Sequence, residues 1–174
     1  MRFKQFLLEG SIQELYVSTV KAFPETTKRQ NSIDTIRIVK LEWIPYLDFK
    51  TLYIKGLAQN IENSKEYMPI IVFKNIKYMD EKSKNTVQIV DKNNKKYIIE
   101  KIDHNNKVLV RCNCKDFFWR GNYPNHLDKS LYGRKRKPYS AVGTGKAANP
   151  KNDPMLCKHI IKLHKVLEQS GITY

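Results

Sequence analysis

Acidic residues, cysteines and long apolar runs are all scarce in this chain. Its 174 residues include 17 Asp and Glu against 32 Lys and Arg, a formal net charge of +15. Such a charge favours polyanionic partners, either nucleic acid or an acidic protein surface. No segment approaches the roughly 20 apolar residues that span a bilayer, and the start through Gly10 is too short and polar for a secretory signal. We therefore expect a soluble, intracellular protein with no membrane partner.

The three cysteines are too few for a disulfide framework, and a reducing compartment would disfavour disulfides in any case. Hydrophobic residues nevertheless make up 41% of the chain, which is enough to bury a core. The length fits one main domain with at most one appended lobe. We therefore expect a folded protein.

A short amphipathic helix is predicted near the amino terminus. Ser11 and Glu14 have the spacing of a capping box, in which each side chain satisfies a free backbone N–H group. Apolar residues then recur at helical spacing up to Pro24, which ends the pattern. The polar residues 24–34 predict a linker or surface loop.

Five short segments rich in β-branched and aromatic residues predict a small antiparallel sheet: residues 35–44, 51–58, 68–79, 86–90 and 96–102. Turn-forming residues at 91–94 predict a hairpin between the last two. A further turn at Asn105 and Asn106 directs another strand into the first cysteines. The sheet thus leads directly to Cys112.

The segment 115–156 has little periodicity and many Pro, Gly and Asn residues, so it is either a functional loop or disordered. A final helix follows, with Ile160, Leu163 and Leu167 on one face and Gly171 as its carboxyl-terminal cap.

All three cysteines fall into two ligand-spaced pairs, Cys112 with Cys114 and Cys157 with His159. Residues two apart in a strand project from the same face, so the first pair can reach one metal ion. Residues two apart within a helix point in nearly opposite directions. Cys157 must therefore lie at or before the helix start, where the helix dipole also favours a thiolate.

Three thiolates and one imidazole predict a tetrahedral zinc site with no open position, which is typical of structural zinc. Two alternatives stay open. His164, His126 or His104 can replace His159 as the fourth ligand, or the thiols can be unbound cysteines beside an ordinary helix histidine.

Basic and aromatic residues interleave between the two ligand pairs, and this pattern indicates nucleic-acid or partner binding. The candidate contact residues are Trp119, Arg120, Arg134, Lys135, Arg136 and Lys137. In the alternative interpretation, the aromatic residues 117–119 pack beneath the zinc site, and the basic run is a solvated turn or contacts an acidic neighbour.

The segments "VRCNCKDF" and "LCKHIIKL" resemble the SWIM-type zinc finger over residues 107–167. The resemblance implies a ββα arrangement with one structural zinc on Cys112, Cys114, Cys157 and His159. The stretch between the ligand pairs is longer here than in most members. With "LYGRKRKPY" and "NPKNDPMLCKHIIKL", the chain looks like SWIM proteins of large tailed bacteriophages. "FKQFLLEG" is similar to phage leaders that a maturation protease cuts after a Leu-x-Glu triplet, here Leu7-Leu8-Glu9, so that cleavage would fall between Glu9 and Gly10.

We therefore expect an α+β protein in three segments: 1–32 with the leader and helix, 33–106 with the antiparallel sheet, and 107–174 with the zinc finger. Catalysis would need an open metal position or a nucleophile with its base, and the sequence predicts neither. The predicted function is that of a non-enzymatic structural or assembly protein of a phage neck, tail or baseplate, with other virion proteins as partners. The alternative is an accessory protein that binds DNA or RNA. The expected location is the virion or the host cytoplasm, and no small-molecule substrate is expected.

Overall fold

The amino-terminal helix α1, Ile12–Ala22, begins at the predicted capping box. The Ser11 hydroxyl accepts from the Glu14 backbone N–H at 3.1 Å, and the Glu14 carboxylate accepts from the Ser11 N–H at 2.7 Å. The helix ends before Pro24, as its sequence predicts. This structure, a computed structural model, describes residues 9–24, 33–138 and 148–174.

Eight strands follow within the described residues, and they pair with one another in antiparallel fashion. They are β1 Ile36–Tyr46, β2 Thr51–Asn60, β3 Glu66–Tyr67, β4 Ile70–Phe73, β5 Tyr78–Met79, β6 Thr86–Val90, β7 Lys96–Glu100 and β8 Val108–Arg111. The larger sheet has the order β1-β2-β4-β8 with β3 paired to β2, and the smaller sheet has the order β5-β7-β6. The mixed α+β class is thus confirmed.

The prediction of a single sheet is wrong, because the apolar run 68–79 is divided between the two sheets. Asn75 has a φ of 57°, the left-handed conformation that Asn tolerates, and it ends β4. The Ile76 N–H then donates to the Lys50 carbonyl at 2.7 Å, so the chain leaves the larger sheet before β5 begins. The predicted hairpin is present, with Asn94 at a φ of 61° in its turn.

Helical structure occurs where the sequence predicted a loop without periodicity. A single π-helical turn, Phe117–Gly121, continues into α2, Asn122–Leu127. A Cβ added to Gly121 would lie 2.9 Å from the Phe117 ring and 3.3 Å from Met155, so only glycine fits at this junction. The last helix, α3, Lys158–Gln169, ends before Gly171, whose φ of +70° fits the predicted cap.

The core lies between α3 and one face of the larger sheet. Ile160, Leu163 and Leu167 of α3 are fully buried, as their spacing predicts. A Cβ on Gly56 of β2 would lie 3.1 Å from Leu163, which shows how closely helix and sheet approach. The same core cluster contains Ile12 of α1 and Val110 of β8 and therefore draws on all three predicted segments. Among the described helices, none is long and apolar enough to cross a membrane.

Candidate metal centre

Four potential ligands converge at one end of the larger sheet. The sulfur atoms of Cys112, Cys114 and Cys157 and a ring nitrogen of His159 all lie within 4.8 Å of one another. The four residues are between 0% and 4% exposed. None of the three cysteines forms a disulfide. The cluster is therefore a buried Cys3His set able to hold a metal ion.

The spacing of these atoms fits tetrahedral coordination. His159 Nδ1 lies 3.8 Å from the Cys112 sulfur and 3.9 Å from the Cys157 sulfur. In a tetrahedral site, zinc bonds of about 2.3 Å to sulfur and about 2.0 Å to nitrogen place the sulfur and nitrogen atoms about 3.5 Å apart. The residues therefore need only small shifts to bind an ion of this kind.

The end of β8 places the first pair of thiols. β8 ends at Arg111, and Cys112 follows directly. Its neighbour β4 fixes the register on one side, and on the other side Val110 exchanges backbone hydrogen bonds with Ser130 at 2.8 Å and Tyr132 at 3.0 Å. After Cys114 the chain turns into the helical segment, where the Phe117 N–H donates to the Cys114 sulfur at 3.3 Å. Such a donor stabilises a thiolate ligand.

The start of α3 places the second pair. Cys157 is the residue that precedes the helix, with extended backbone angles, and His159 lies in the first turn. This is the position that the spacing of Cys157 and His159 requires. The partial positive charge of the helix start favours the ionised form of the Cys157 thiol.

Three polar side chains hold the segment before Cys157 in place, and sequence reasoning missed all three. Asn125, fully buried in α2, accepts from the Met155 N–H at 2.8 Å and donates to the Met155 carbonyl at 3.0 Å. Thr19 of α1 accepts from the Leu156 N–H at 2.8 Å. Asn149 donates to the carbonyls of Arg120 and Asp153. These contacts fix the approach to the metal site from α1 and α2.

The ring of His159 is held in a fixed plane. It stacks on Tyr67 of β3 with ring centroids 4.2 Å apart and an interplanar angle of 28°. Nδ1 faces the sulfur atoms, whereas Nε2 is buried without a hydrogen-bond partner among the described residues. The geometry therefore selects Nδ1 as the ligand atom. The alternatives His164, His126 and His104 lie outside the cluster.

The pKa values of the three thiols in the cluster are shifted in different directions. Hydrogen bonds from the thiols of Cys112 and Cys157 lower the pKa of Cys114. Burial raises the pKa of both Cys112 and Cys157. Close by, burial also raises the pKa of Asp116 to about 6, although Asp116 is paired with Arg120. A divalent cation would offset the cost of ionising several thiols in this buried space.

The six residues predicted to contact partners differ in exposure and in the contacts that they make. Arg120 is engaged with Asp116 and lies over the Phe23 ring, which leaves it poorly placed for a phosphate. Arg136 lies over the Phe118 ring, and its backbone N–H donates to Asn122. The exposed members are Trp119, with 51% of its surface accessible, together with Arg134, Lys135, Arg136 and Lys137.

The predicted processing site is attached to the body of the protein. The Glu9 carboxylate pairs with Lys74 at 2.8 Å. Gly10 is buried, and its N–H donates to Asp128 at 3.2 Å. The rest of the predicted recognition triplet, Leu7 and Leu8, lies outside the described residues. Cleavage between Glu9 and Gly10 stays a prediction.

Comparison of the chain with protein-family models, with curated proteins and with solved structures finds no match in any of the three. Fold and site therefore define the class by themselves. This is an α+β protein of two antiparallel sheets and three helices within its described residues, with a buried Cys3His cluster able to bind a metal ion.

Proposed function

We propose that the chain binds one structural zinc ion through Cys112, Cys114, Cys157 and His159, and that it is a non-enzymatic assembly protein of the SWIM type. The observation that carries the proposal is the burial of four protein donors around one point. Three thiols and an imidazole are a donor set that zinc prefers, and four protein ligands leave no coordination position for a substrate.

The position of the cluster in the fold supports a structural role for the metal. Cys112 and His159 lie 47 residues apart in the chain, on the end of β8 and the start of α3. An ion bound there closes the base of the intervening loop and joins sheet to helix. The strand, the paired cysteines and the helix start are also the parts that the SWIM resemblance names.

A cobalt substitution tests whether the site is closed. Co²⁺ replacing the native ion should give the intense visible bands of tetrahedral thiolate coordination. These bands should stay unchanged when azide or cyanide is added, because no position is open to either anion. A spectrum that shifts with added anion would reveal an open position and favour a catalytic metal instead.

A role in a tailed-phage particle follows from the sequence resemblance of the leader and of the segment 131–163. In this role the chain contacts other virion proteins in the neck, tail or baseplate. Proteomic mass spectrometry of purified particles should detect the chain at constant copy number. Its presence in infected cells together with its absence from purified particles would contradict this role.

Nucleic-acid binding is the second candidate function. It is favoured by the exposed cations Arg134, Lys135 and Lys137 and by the exposed Trp119, whose ring centroid lies 5.5 Å from the guanidinium of the neighbouring Arg136. Affinity for DNA or RNA that falls steeply with salt would support it. An absence of binding at about 50 mM salt would exclude it.

A further inference from the structure

The larger sheet has a second face that α3 does not cover. The side chains on this face include Ile44, Tyr53, Lys55, Ile70, Leu109 and Arg111, which we call the open face. They alternate with core residues such as Leu52 and Ile54, which are fully buried. These six residues are only partly buried, whereas Val72, which lies between Tyr53 and Leu109 on the same face, is 5% exposed. α3 packs on the opposite face, where Leu163 approaches Gly56.

Tyrosine rings lie at the centre of the open face. Tyr53 contacts Tyr132 edge to face, with ring centroids 5.3 Å apart. Tyr46 extends the row at the end of β1 and is 47% exposed. Burial and the neighbouring Tyr132, Glu42 and Tyr46 raise the pKa of Tyr53, so its hydroxyl is neutral at physiological pH. The rings therefore offer an uncharged surface for stacking.

Cations surround the tyrosines. The strand positions on this side carry Arg37, Lys40 and Lys55 against the carboxylates of Glu42 and of Glu66 in β3. A shallow cavity of about 170 Å³ lies between the two lysines and Glu42, with Leu57 and Met68 also in its wall. The local excess of positive charge matches the excess in the whole chain and suits a polyanion.

Arg111 connects the open face to the basic segment of the long loop. From the end of β8 its guanidinium donates to the carbonyls of Tyr132 at 2.8 Å and Arg134 at 3.2 Å. A Cβ on Gly133, whose φ is +81°, would lie 3.1 Å from the same guanidinium, so the contact also needs glycine there. Arg111 is thus a positioning residue that holds the start of the basic segment beside the sheet.

From there the chain leads to a second pair of aromatic rings. Arg136 lies over Phe118, and the Phe118 and Trp119 rings meet edge to face with centroids 4.7 Å apart. Arg134, Lys135 and Lys137 are exposed between the two aromatic pairs. The surface therefore continues from Tyr53 and Tyr132, over exposed cations, to Trp119.

We propose that the open face and the adjoining basic segment form one binding site for single-stranded nucleic acid, with Tyr53 and Tyr132 stacking on bases and Lys40, Lys55 and the basic segment contacting phosphates. The inference extends the second candidate function to the sheet and rests on it. Unpaired bases are required because stacking on a tyrosine needs an exposed base plane, which a duplex does not offer. An acidic protein would match the charge but would leave the tyrosine row unused.

The test is fluorescence anisotropy of the zinc-loaded full chain with a fluorescein-labelled oligothymidylate or oligouridylate. We expect binding that exceeds binding to a duplex of equal length and that falls with salt. Tyr53→Thr should weaken it about 5-fold or more, since stacking contributes about 1–3 kcal/mol per base. Lys55→Gln should lower the salt slope by about 0.7 per lost phosphate contact. The matched control is Lys92→Gln in the β6–β7 turn, which should change neither the affinity nor its dependence on salt.

Three results would overturn the proposal. An absence of binding at about 50 mM salt removes the nucleic-acid function altogether. Binding that is lost in a Lys135→Gln, Lys137→Gln double variant but unchanged by Tyr53→Thr and Lys55→Gln leaves the second candidate function standing and refutes the role of the sheet. Equal competition by polyglutamate assigns the surface to an acidic protein. Circular dichroism checks the fold of Tyr53→Thr, and Lys55→Gln decides the question if that variant does not fold.

Discussion

Replacing Cys112 by serine should release the metal and separate the end of β8 from the start of α3. The two ends of this link, Cys112 and His159, are 47 residues apart. We treat the bound ion as a cross-link that closes a loop of this length. Such a link lowers the conformational entropy of the unfolded chain and raises the free energy of unfolding by about 4 kcal/mol. A domain of this size loses about 2–4 °C of melting temperature per kcal/mol, so Cys112→Ser should melt about 8–16 °C lower.

The assay is thermal unfolding followed by circular dichroism, with zinc content measured on the same samples. Lys115→Ser is the control, because Lys115 is exposed beside the cluster and is not a ligand. It should keep both the metal and the melting temperature. A Cys112→Ser variant that retains a full equivalent of zinc, or that loses the zinc but melts within about 1 °C of the parent protein, would contradict a stabilising metal link at this position.

Three further predictions concern the packing of the fold. Gly10→Ala should destabilise the fold by about 1–3 kcal/mol, because the new Cβ would lie 2.7 Å from the Asp128 carboxylate, and denaturant unfolding that shows no loss would contradict this. Asn125→Ala should lower the free energy of unfolding by about 1–3 kcal/mol, because it leaves the buried backbone N–H and carbonyl of Met155 without a hydrogen-bond partner. An unchanged free energy of unfolding in urea would contradict this role of Asn125. Burial raises the pKa of Tyr78 to about 12, so its contribution to stability is present below about pH 10 and is lost as pH rises through the folded value. Tyr78→Phe should therefore flatten the fall in unfolding free energy over that range, and an unchanged slope would argue against it.

The parts of the fold that local pattern determines were predictable. The capping box at Ser11 placed α1, and the spacing of Cys157 and His159 placed Cys157 at the start of α3. The four residues of the cluster followed from the same chemistry, since thiols and an imidazole in two close pairs are typical of a metal site.

The parts that depend on distant contacts were not predictable. The run 68–79 looks like one strand, and only the left-handed Asn75 divides it between two sheets. The helical segment 117–127 is short and contains Pro124, so its periodicity is too weak to detect. Asn125 forms hydrogen bonds with the backbone of Met155, 30 residues away, and a contact at this separation leaves no local pattern in the sequence.

X-ray absorption at the zinc edge, combined with metal analysis, is the decisive measurement for the Cys3His site. We expect one zinc per chain, bound by three sulfur atoms at about 2.3 Å and one nitrogen at about 2.0–2.1 Å, with no oxygen ligand. Fewer than three sulfur neighbours, a bound water oxygen, or a purified folded chain that contains no zinc and takes up none would contradict this assignment.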